Sequence, residues 1–216
     1  MTKKDYLLGV VAGLLIGLLA MPALSAGLTV SLYNSIRIFI IPFFLLGTPL
    51  GLYVAALLGK KIPAVWQIGK FGVIGILNTL VDLGVLAAIA SFVNSRYGVE
   101  SDYIIGMIGT WTVTIYTMYK AISFVVANIN SYLWNKYWTF AVGVAQKTKA
   151  EYLQFFIISI VGFVINVAVS SVAFVFALGL EGLTSGQAGS IGALTGTVLG
   201  LLWNFVGYKF IVFKNK

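Results

Sequence analysis

One aspartate lies inside a long apolar run of this 216-residue sequence, and its position points to chemistry. Asp82 stands near the middle of the apolar segment at residues 71–93, whereas every other acidic residue lies outside the apolar segments. A charge in the centre of a bilayer is costly unless it is paired or hydrated, so intramembrane carboxylates mostly line pathways. We therefore interpret Asp82 as part of a functional site. The alternative is a neutral carboxyl that joins helices through Asn78 or Asn128.

Two lysines recur in the same aromatic setting. Lys136 belongs to the stretch SYLWNKYWTF at residues 131–140, and Lys209 belongs to NFVGYKFIVF at residues 204–213. Aromatic rings prefer the headgroup depth of a membrane, and a lysine beside them reaches water or phosphate. The two stretches therefore indicate a duplicated interface element. These lysines and Lys70, which precedes the segment at residues 71–93, are candidates for binding a lipid phosphate; the alternative role is topology anchoring.

Several asparagines also lie within apolar segments. Interhelical hydrogen bonding explains each one alone, but together with Asp82 they predict a polar groove through the membrane. They are Asn78, Asn128, Asn130, Asn166 and Asn204.

Composition identifies the chain as an integral membrane protein. Hydrophobic residues make up 60% of it and charged residues 9%, whereas roughly 25% of a soluble domain is charged. The absence of cysteine and histidine excludes thiol chemistry, disulfides, imidazole metal sites and a histidine base. With six acidic residues in all, we expect neither an enzyme nor a metal or cofactor site. The net charge of +8 is distributed between apolar segments, so it indicates membrane topology and not nucleic-acid binding.

Six apolar segments have about the 20 residues that a spanning helix needs. Lysine and arginine are concentrated in alternate connections, which by the positive-inside rule places both termini and the loops near residues 60–70 and 136–151 in the cytoplasm. Lys147 and Lys149 contribute to the second of these loops. The chain is therefore predicted to be an all-α integral membrane protein with six transmembrane helices. The segments lie at residues 6–24, 38–58, 71–93, 119–138, 153–180 and 188–208.

The first segment has two interpretations. Lys3 and Lys4, the apolar run and the small residues before Ala26 would suit a secretory signal that is removed. Glycines at positions 9, 13 and 17 instead form a small-residue ridge, which predicts a helix that stays and packs. Such a ridge serves packing within the chain or the formation of a homo-oligomer.

Residues 94–118 are predicted to be an external insertion. Arg96, Glu100 and Asp102 make its first part polar, and residues 103–118 are apolar enough to be helical. We expect that helix to lie in the membrane interface or to be re-entrant. The alternative, one continuous helix over residues 103–138, would be about 54 Å long at 1.5 Å per residue, which exceeds the bilayer core.

The aromatic-lysine stretches predict that the last four helices are a duplicated two-helix repeat. Counting back in steps of four from each stretch gives a ridge of small residues, so we expect the two helices that end there to form the packed centre of the bundle. Both halves start and finish on the cytoplasmic side, which makes them parallel repeats. The ridges are Ser131, Ala127 and Ser123 in the first half and Asn204, Gly200, Gly196 and Gly192 in the second.

Residues 70–83, KFGVIGILNTLVDL, followed by NKYWTF at residues 135–140, resemble the GtrA-like family of small four-helix membrane proteins. The resemblance covers residues 67–213 and divides the chain into two additional helices at 1–62 and a GtrA-like domain at 67–216. Tyr208 and Ile211 depart from the family motif, which predicts one functional site built mainly from the first half. The positions that match the motif are Asn78, Asp82, Asn135, Lys136 and Trp138, with Asn204 and Lys209 as second-half counterparts.

Members of that family take part in cell-surface polysaccharide synthesis, as proposed translocators of polyprenyl-phosphate-linked sugars or as membrane partners of glycosyltransferases. The resemblance implies a carrier or flippase in a prokaryotic plasma membrane, in which Lys136, Lys209 and Lys70 meet the lipid phosphate. Trp138 and Asn135 accompany these lysines in the motif. One alternative is a non-transporting anchor or oligomerisation partner of a separate glycosyltransferase. A weaker one is a proton-coupled transporter of small solutes, which depends on Asp82.

Overall fold

In the computed structural model, which describes residues 1–141 and 149–214, the chain forms two compact units, Met1–Thr139 and Phe140–Lys216. Lys147 lies outside the described residues. The first unit contains helices α1 (Lys3–Gly27), α2 (Val30–Gly59) and α3 (Pro63–Tyr97), strands β1 (Ile104–Ile108) and β2 (Trp111–Thr114), and helix α4 (Ile115–Trp134). The second contains α5 (Lys149–Leu178) and α6 (Ser185–Gly207). Helix α4 continues into a first π turn, Asn135–Thr139, and α6 into a second π turn, Tyr208–Val212.

Among the described residues, five helices are long and apolar enough to cross a membrane. They are α1, α2, α3, α5 and α6 together with the second π turn. Helix α4 has 20 residues, includes Lys120, Asn128 and Asn130, and is not one of the five. The helical membrane architecture is therefore confirmed with five candidate spans. The sixth span and the orientation of the chain stay predictions.

Local sequence signals explain where several helices begin and end. Thr2 and Asp5 form a capping box at the start of α1, in which each side chain accepts a hydrogen bond from the other residue's backbone N–H. Thr184 and Gln187 form the same arrangement at the start of α6. Helix α3 ends at Gly98, whose φ of +65° is the left-handed conformation that glycine adopts without strain.

The glycine ridge of α1 packs on α2. A Cβ added at Gly9 would come within 2.8 Å of Leu52 Cδ1, and one added at Gly17 within 2.9 Å of Ile41 Cα. The ridge therefore serves packing within the chain, as one of its two interpretations predicted. Buried side chains from α1, α2, α3 and the first π turn form a single apolar core. Its members are Ala12, Ile16, Leu52, Ile74, Leu77 and Trp138.

Substitution of Gly13 by alanine should destabilise the first unit. The added Cβ would overlap the Phe44 carbonyl oxygen and lie 3.1 Å from Thr48 Cβ, so α1 and α2 are pushed apart. Overpacking of this kind costs about 1–3 kcal/mol, and we expect the melting temperature of the detergent-purified protein to fall by roughly 5 °C. Gly72→Ala is the matched control, because a Cβ added there meets nothing within 4 Å. Equal melting temperatures for both variants would contradict a tight α1–α2 contact.

The prediction of a helix in residues 103–118 is wrong. This stretch forms an antiparallel hairpin in which Ile104 pairs with Thr114, and Gly109 lies in its turn with φ of +62°. β-Branched and aromatic residues favour strands, and a glycine with positive φ favours a hairpin turn. Apolar composition alone does not distinguish this pattern from a helix. Because α4 begins at Ile115, the alternative of one continuous helix is excluded as well.

In the second unit, the glycine ridge of α6 packs against α5. A Cβ added at Gly192 would lie 2.7 Å from the Ser170 carbonyl oxygen, and one added at Gly200 would lie 3.0 Å from the Gly162 carbonyl oxygen. Between them, Gly196 lies directly against the Ser170 hydroxyl. The ridge is therefore a packing face. Its predicted packing on α4 involves both units and stays a prediction.

Candidate functional site

Both aromatic-lysine stretches change from α-helix to π-helix at the same place. The first π turn starts four residues after Ser131, and the second starts four residues after Asn204, which is the equivalent position. Single π turns are uncommon and occur frequently at functional sites. The two stretches therefore share a local backbone structure as well as a sequence pattern.

The lysine of each π turn lies over two aromatic rings, one four residues before it and one directly after it. An ammonium within about 6 Å of the centre of an aromatic ring is attracted to the face of that ring. Lys136 is fully buried and hydrogen-bonds to the Tyr132 hydroxyl at 3.0 Å, whereas Lys209 is half-buried. The distances from Nζ to the ring centroid are 5.4 Å to Tyr132 and 5.9 Å to Tyr137 for Lys136, and 5.6 Å to Phe205 and 5.4 Å to Phe210 for Lys209.

The first π turn also contains two buried side-chain oxygens that can accept a further hydrogen bond. Asn135 Nδ2 donates to the Ser131 carbonyl oxygen at 2.9 Å. Asn135 Oδ1 and the Thr139 hydroxyl have no hydrogen-bond partner among the described residues. Buried polar atoms are rarely left unpaired, so this turn can take a hydrogen bond from water or from a ligand.

Lys70 and Trp138 meet at one end of the first unit, around the carboxylate of Asp5. Lys70 is buried, and its Nζ donates to the Trp138 carbonyl oxygen at 2.8 Å. The same Nζ lies 3.6 Å from Asp5 Oδ1, to which Trp138 Nε1 donates at 3.1 Å. Lys4 adds a further ammonium, since its Nζ lies 3.4 Å from the Tyr137 carbonyl oxygen. We refer to Lys4, Asp5, Lys70 and Trp138 as the Asp5 cluster.

Asp5 is the member of this cluster that the sequence analysis did not single out. Its Oδ2 accepts hydrogen bonds from the Thr2 backbone N–H at 3.1 Å and from the Thr2 hydroxyl at 2.7 Å. The pattern of a threonine followed three residues later by an acidic residue is a signal for those contacts. No local signal connects Asp5 with Trp138, which is 133 residues away in the chain.

Asp82 forms an ion pair with Lys120 across α3 and α4. Its Oδ2 contacts Lys120 Nζ, and its Oδ1 accepts a hydrogen bond from the Ser123 hydroxyl at 2.6 Å. The Asp82 side chain is 21% exposed and that of Lys120 is 43% exposed, so the pair reaches the surface of the unit. Asn78 or Asn128 was expected as a partner of Asp82 only in the alternative of a neutral carboxyl that joins helices. The signal for Lys120 was its position as a basic residue near the start of the next apolar segment.

In the second unit, α5 and α6 also touch at the positions equivalent to Asp82 and Ser123, but without charged residues. Gly196 occupies the position equivalent to Ser123, and it lies against Ser170 as Ser123 lies against Asp82. Ala193 stands where the first unit has Lys120. The sequence predicts that the second half has no equivalent of Asp82. It has no equivalent of Lys120, the cationic partner of Asp82, either.

The predicted asparagine groove is divided between the two units. In the first, Asn130 Nδ2 donates to Asn78 Oδ1 at 3.4 Å, and Asn128 is buried in α4. In the second, Asn166 Nδ2 lies 3.5 Å from the Thr197 hydroxyl. The Asn204 side chain lies against Gly162 of α5, and its Oδ1 has no hydrogen-bond partner among the described residues.

An apolar groove of about 350 Å³ lies between α1, α2 and α3 of the first unit, and none of its lining residues belongs to the Asp5 cluster. Its α3 wall begins at Gly69, the neighbour of Lys70, and continues through Val73 and Ile76. Glycines 47 and 51 of α2 form part of the facing wall and leave space for an occupant. An apolar groove of this kind can take the apolar part of a ligand.

The structure groups the first-unit candidates in two places. Lys70 and Trp138 belong to the Asp5 cluster, and Asn135 and Lys136 lie in the same π turn as Trp138. Asp82 and its partners lie about 18 Å further along α3, at 1.5 Å per residue from Lys70. Lys209, Asn166 and Asn204 belong to the second unit.

Comparison with known proteins identifies relatives of the chain. The family model described as the GtrA/DPMS transmembrane domain matches residues 70–213 and therefore begins at Lys70. The "uncharacterized membrane protein YngA" of Bacillus subtilis (strain 168) is 29% identical over 149 residues, which span 68% of this chain and 80% of that protein. No solved structure matches the chain. Helices α1 and α2, with Asp5, lie outside the matched region.

Proposed function

The chain belongs to the GtrA/DPMS transmembrane domain family, and on that premise we propose that it binds and translocates polyprenyl-phosphate-linked sugars. The resemblance recognised in the sequence is thereby confirmed, and the chain is a multi-pass membrane protein. Membership of the family suggests a role in polysaccharide synthesis. The lipid-linked substrate and its movement across a prokaryotic plasma membrane are the proposal.

The observation that carries the proposal is the convergence of Lys70 Nζ and Trp138 Nε1 on one anionic oxygen, in a unit that also has an apolar groove. Both donors are within 3.6 Å of Asp5 Oδ1. An ammonium and an N–H donor directed at one point are what a phosphate oxygen requires. The groove that starts at Gly69 offers apolar walls to an isoprenoid chain. A long-chain isoprenoid phosphate has an anionic group for the first feature and an apolar chain for the second.

The sugar requires polar groups further along the same unit. The Asp82–Lys120 pair and the Asn78–Asn130 pair supply carboxylate, ammonium and amide groups, which bond to hydroxyl groups in either direction. The Asp82–Lys120 pair reaches the surface of the unit at Lys120. The positive-inside rule predicts the Asp5 cluster at the cytoplasmic face, and on this proposal the lipid phosphate is bound there.

A non-transporting anchor for a separate glycosyltransferase is the second candidate. One observation favours it: Asp82 has both carboxylate oxygens engaged by Lys120 and Ser123, which is what a carboxylate that only joins two helices would show. The anchor hypothesis requires no site for a lipid phosphate. The two candidate functions therefore differ in whether the purified protein retains a polyprenyl phosphate.

Native mass spectrometry of the protein purified from its own membrane tests the proposal. We expect a bound species with the mass of a polyprenyl phosphate or its sugar derivative, retained when bulk phospholipid is stripped by collisional activation. The Lys61→Gln variant, altered at an exposed lysine, should retain it equally. Spectra that contain only bulk phospholipids in both samples would contradict the proposal.

A further inference from the structure

We propose that Asp5 is the resident anion of the phosphate site, so that the lipid phosphate binds by displacing the Asp5 carboxylate from Lys70 and Trp138. This inference rests on the proposed function, because it assigns a new residue to the same site. It goes beyond that function in giving the N-terminal helix a role in the affinity of the site.

The contacts of Asp5 Oδ1 are those of a bound anion. It accepts a hydrogen bond from Trp138 Nε1 at 3.1 Å and lies 3.6 Å from Lys70 Nζ. Both donors are among the residues predicted from sequence to bind phosphate. A carboxylate oxygen and a phosphate oxygen accept the same charge-assisted hydrogen bonds, so the two anions compete for one position.

The donors and the resident anion come from different parts of the chain. Lys70 and Trp138 lie within the residues that match the family, whereas Asp5 lies in α1, outside the match. The family region therefore supplies the anion site, and the additional N-terminal helix occupies it. Asp5 therefore belongs to the helices that precede the family region. A substitution of Asp5 leaves both donors, Lys70 and Trp138, in place.

The way in which Asp5 is held permits its displacement. Its Oδ2 is retained by Thr2, a residue exposed at the first turn of α1, where helices fray. The rest of α1 is fixed independently by the packing of its glycine ridge on α2. Rotation of one side chain in the first turn therefore frees the site without moving the helix. Free polyprenyl phosphate carries up to two negative charges and three terminal oxygens, and its sugar derivative, a phosphodiester, carries one charge and two such oxygens. Either can therefore replace the carboxylate as the partner of Lys70.

A purely structural role for Asp5 makes the opposite prediction. If the carboxylate only fastens α1 to the first unit, its replacement loosens the cluster and leaves anion affinity unchanged or lower. If it is a resident anion, its replacement removes a competitor and raises anion affinity. Asparagine is the substitution of choice, because it keeps the size of the side chain and an oxygen that accepts from Trp138 Nε1.

The experiment titrates the full chain in lipid nanodiscs with undecaprenyl phosphate and measures the dissociation constant by native mass spectrometry. We expect Asp5→Asn to bind about tenfold more tightly than the unmodified protein, because one charge-assisted contact no longer competes. Asp102→Asn, which removes an exposed carboxylate before β1, is the matched control and should bind as the unmodified protein does. Undecaprenol, phosphatidylglycerol and inorganic phosphate are titrated in parallel to separate the lipid phosphate from other anions.

Each outcome decides a different point. An unchanged or weaker dissociation constant for Asp5→Asn, with binding by the unmodified protein, would overturn the resident-anion inference and leave the proposed function standing. An equal gain for inorganic phosphate and phosphatidylglycerol would uphold the anion site and contradict the polyprenyl substrate. Absence of binding by either protein would overturn both.

A second variant keeps the inference testable where Asp5→Asn does not fold. Thr2→Ala removes the hydroxyl that holds Oδ2 and retains the Asp5 charge. It should tighten binding of undecaprenyl phosphate about threefold, a smaller effect because the competitor is loosened and not removed. Unchanged binding by Thr2→Ala would then count against the inference.

Discussion

Replacement of Asp82 by asparagine should lower the translocation of a lipid-linked sugar at least about tenfold while the protein still folds. Asparagine keeps the shape of the side chain and accepts from Ser123, but it does not neutralise Lys120. The Lys120 ammonium then lacks its carboxylate partner, which is costly in the sixth span that the sequence predicts. Loss of a hydrogen bond between charged groups is worth about 1.5–3 kcal/mol, which corresponds to about 10- to 100-fold in rate.

The rate is measured in proteoliposomes as the protection of a fluorescent polyprenyl-phosphate sugar from a membrane-impermeant quencher. Asp102→Asn serves as the control for loss of an exposed acidic charge. The double variant Asp82→Lys/Lys120→Asp keeps an ion pair but exchanges its ends, so it should melt like the unmodified protein and still fail to translocate. Full translocation by the exchanged pair would show that Asp82 only joins α3 to α4.

The anchor hypothesis predicts a different pattern from the same variant. Under it, Asp82→Asn leaves polysaccharide glycosylation in cells intact, whereas disruption of a glycine ridge abolishes the complex with a glycosyltransferase. Gly196→Leu is suited to the second half of that test, because Gly196 lies against the Ser170 hydroxyl with no space for a side chain. Normal glycosylation in cells carrying Asp82→Asn would therefore favour the anchor and count against translocation.

Replacement of Lys70 by glutamine should weaken the binding of a polyprenyl phosphate by about 10- to 100-fold, the worth of a charge-assisted hydrogen bond. Lys70 is a buried ammonium within reach of the Asp5 cluster's anionic position, and glutamine supplies no positive charge there. Lys70→Arg retains the charge and should lose less affinity, although its planar group fits a different geometry. The dissociation constant is measured with undecaprenyl phosphate in nanodiscs.

Lys61→Gln is the control for Lys70→Gln, since it removes a positive charge from an exposed lysine in the connection before α3. Its dissociation constant should match that of the unmodified protein. Suppose that Lys61→Gln and Lys70→Gln weakened binding equally, and that a higher salt concentration abolished the difference between each variant and the unmodified protein. The lysines would then act only as a diffuse positive surface. That result would contradict a defined phosphate site at Lys70.

Local sequence properties single out candidate site residues, but they do not predict the partners of those residues. Lys70, Asp82 and Lys136 were identified because residue type and position along an apolar segment are local properties. The partners depend on which helices touch and in which register, which no local pattern specifies. Asp5 reaches Trp138 across 133 residues, and Asp82 reaches Lys120 across 38. Both contacts needed the three-dimensional structure.

Two local features were also beyond the sequence analysis, for different reasons. The apolar composition of residues 103–118 predicts a helix, whereas the β-branched residues and the glycine turn at Gly109 favour the hairpin that β1 and β2 form. The π turns carry no distinct sequence signal, since one added residue per turn changes neither the hydrophobic pattern nor the composition. Their presence in both stretches is nevertheless consistent with the duplication inferred from the sequence.

Translocation by the unmodified protein tests the central claim most directly. The full chain is reconstituted in liposomes made from a natural lipid extract with a fluorescent polyprenyl-phosphate sugar, and the protected fraction is followed after a membrane-impermeant quencher is added. The account predicts that the sugar exchanges between leaflets much faster than in protein-free liposomes, and that Asp82→Asn liposomes resemble the protein-free ones. Exchange no faster than in protein-free liposomes, with any glycosyltransferase partner supplied, would contradict it.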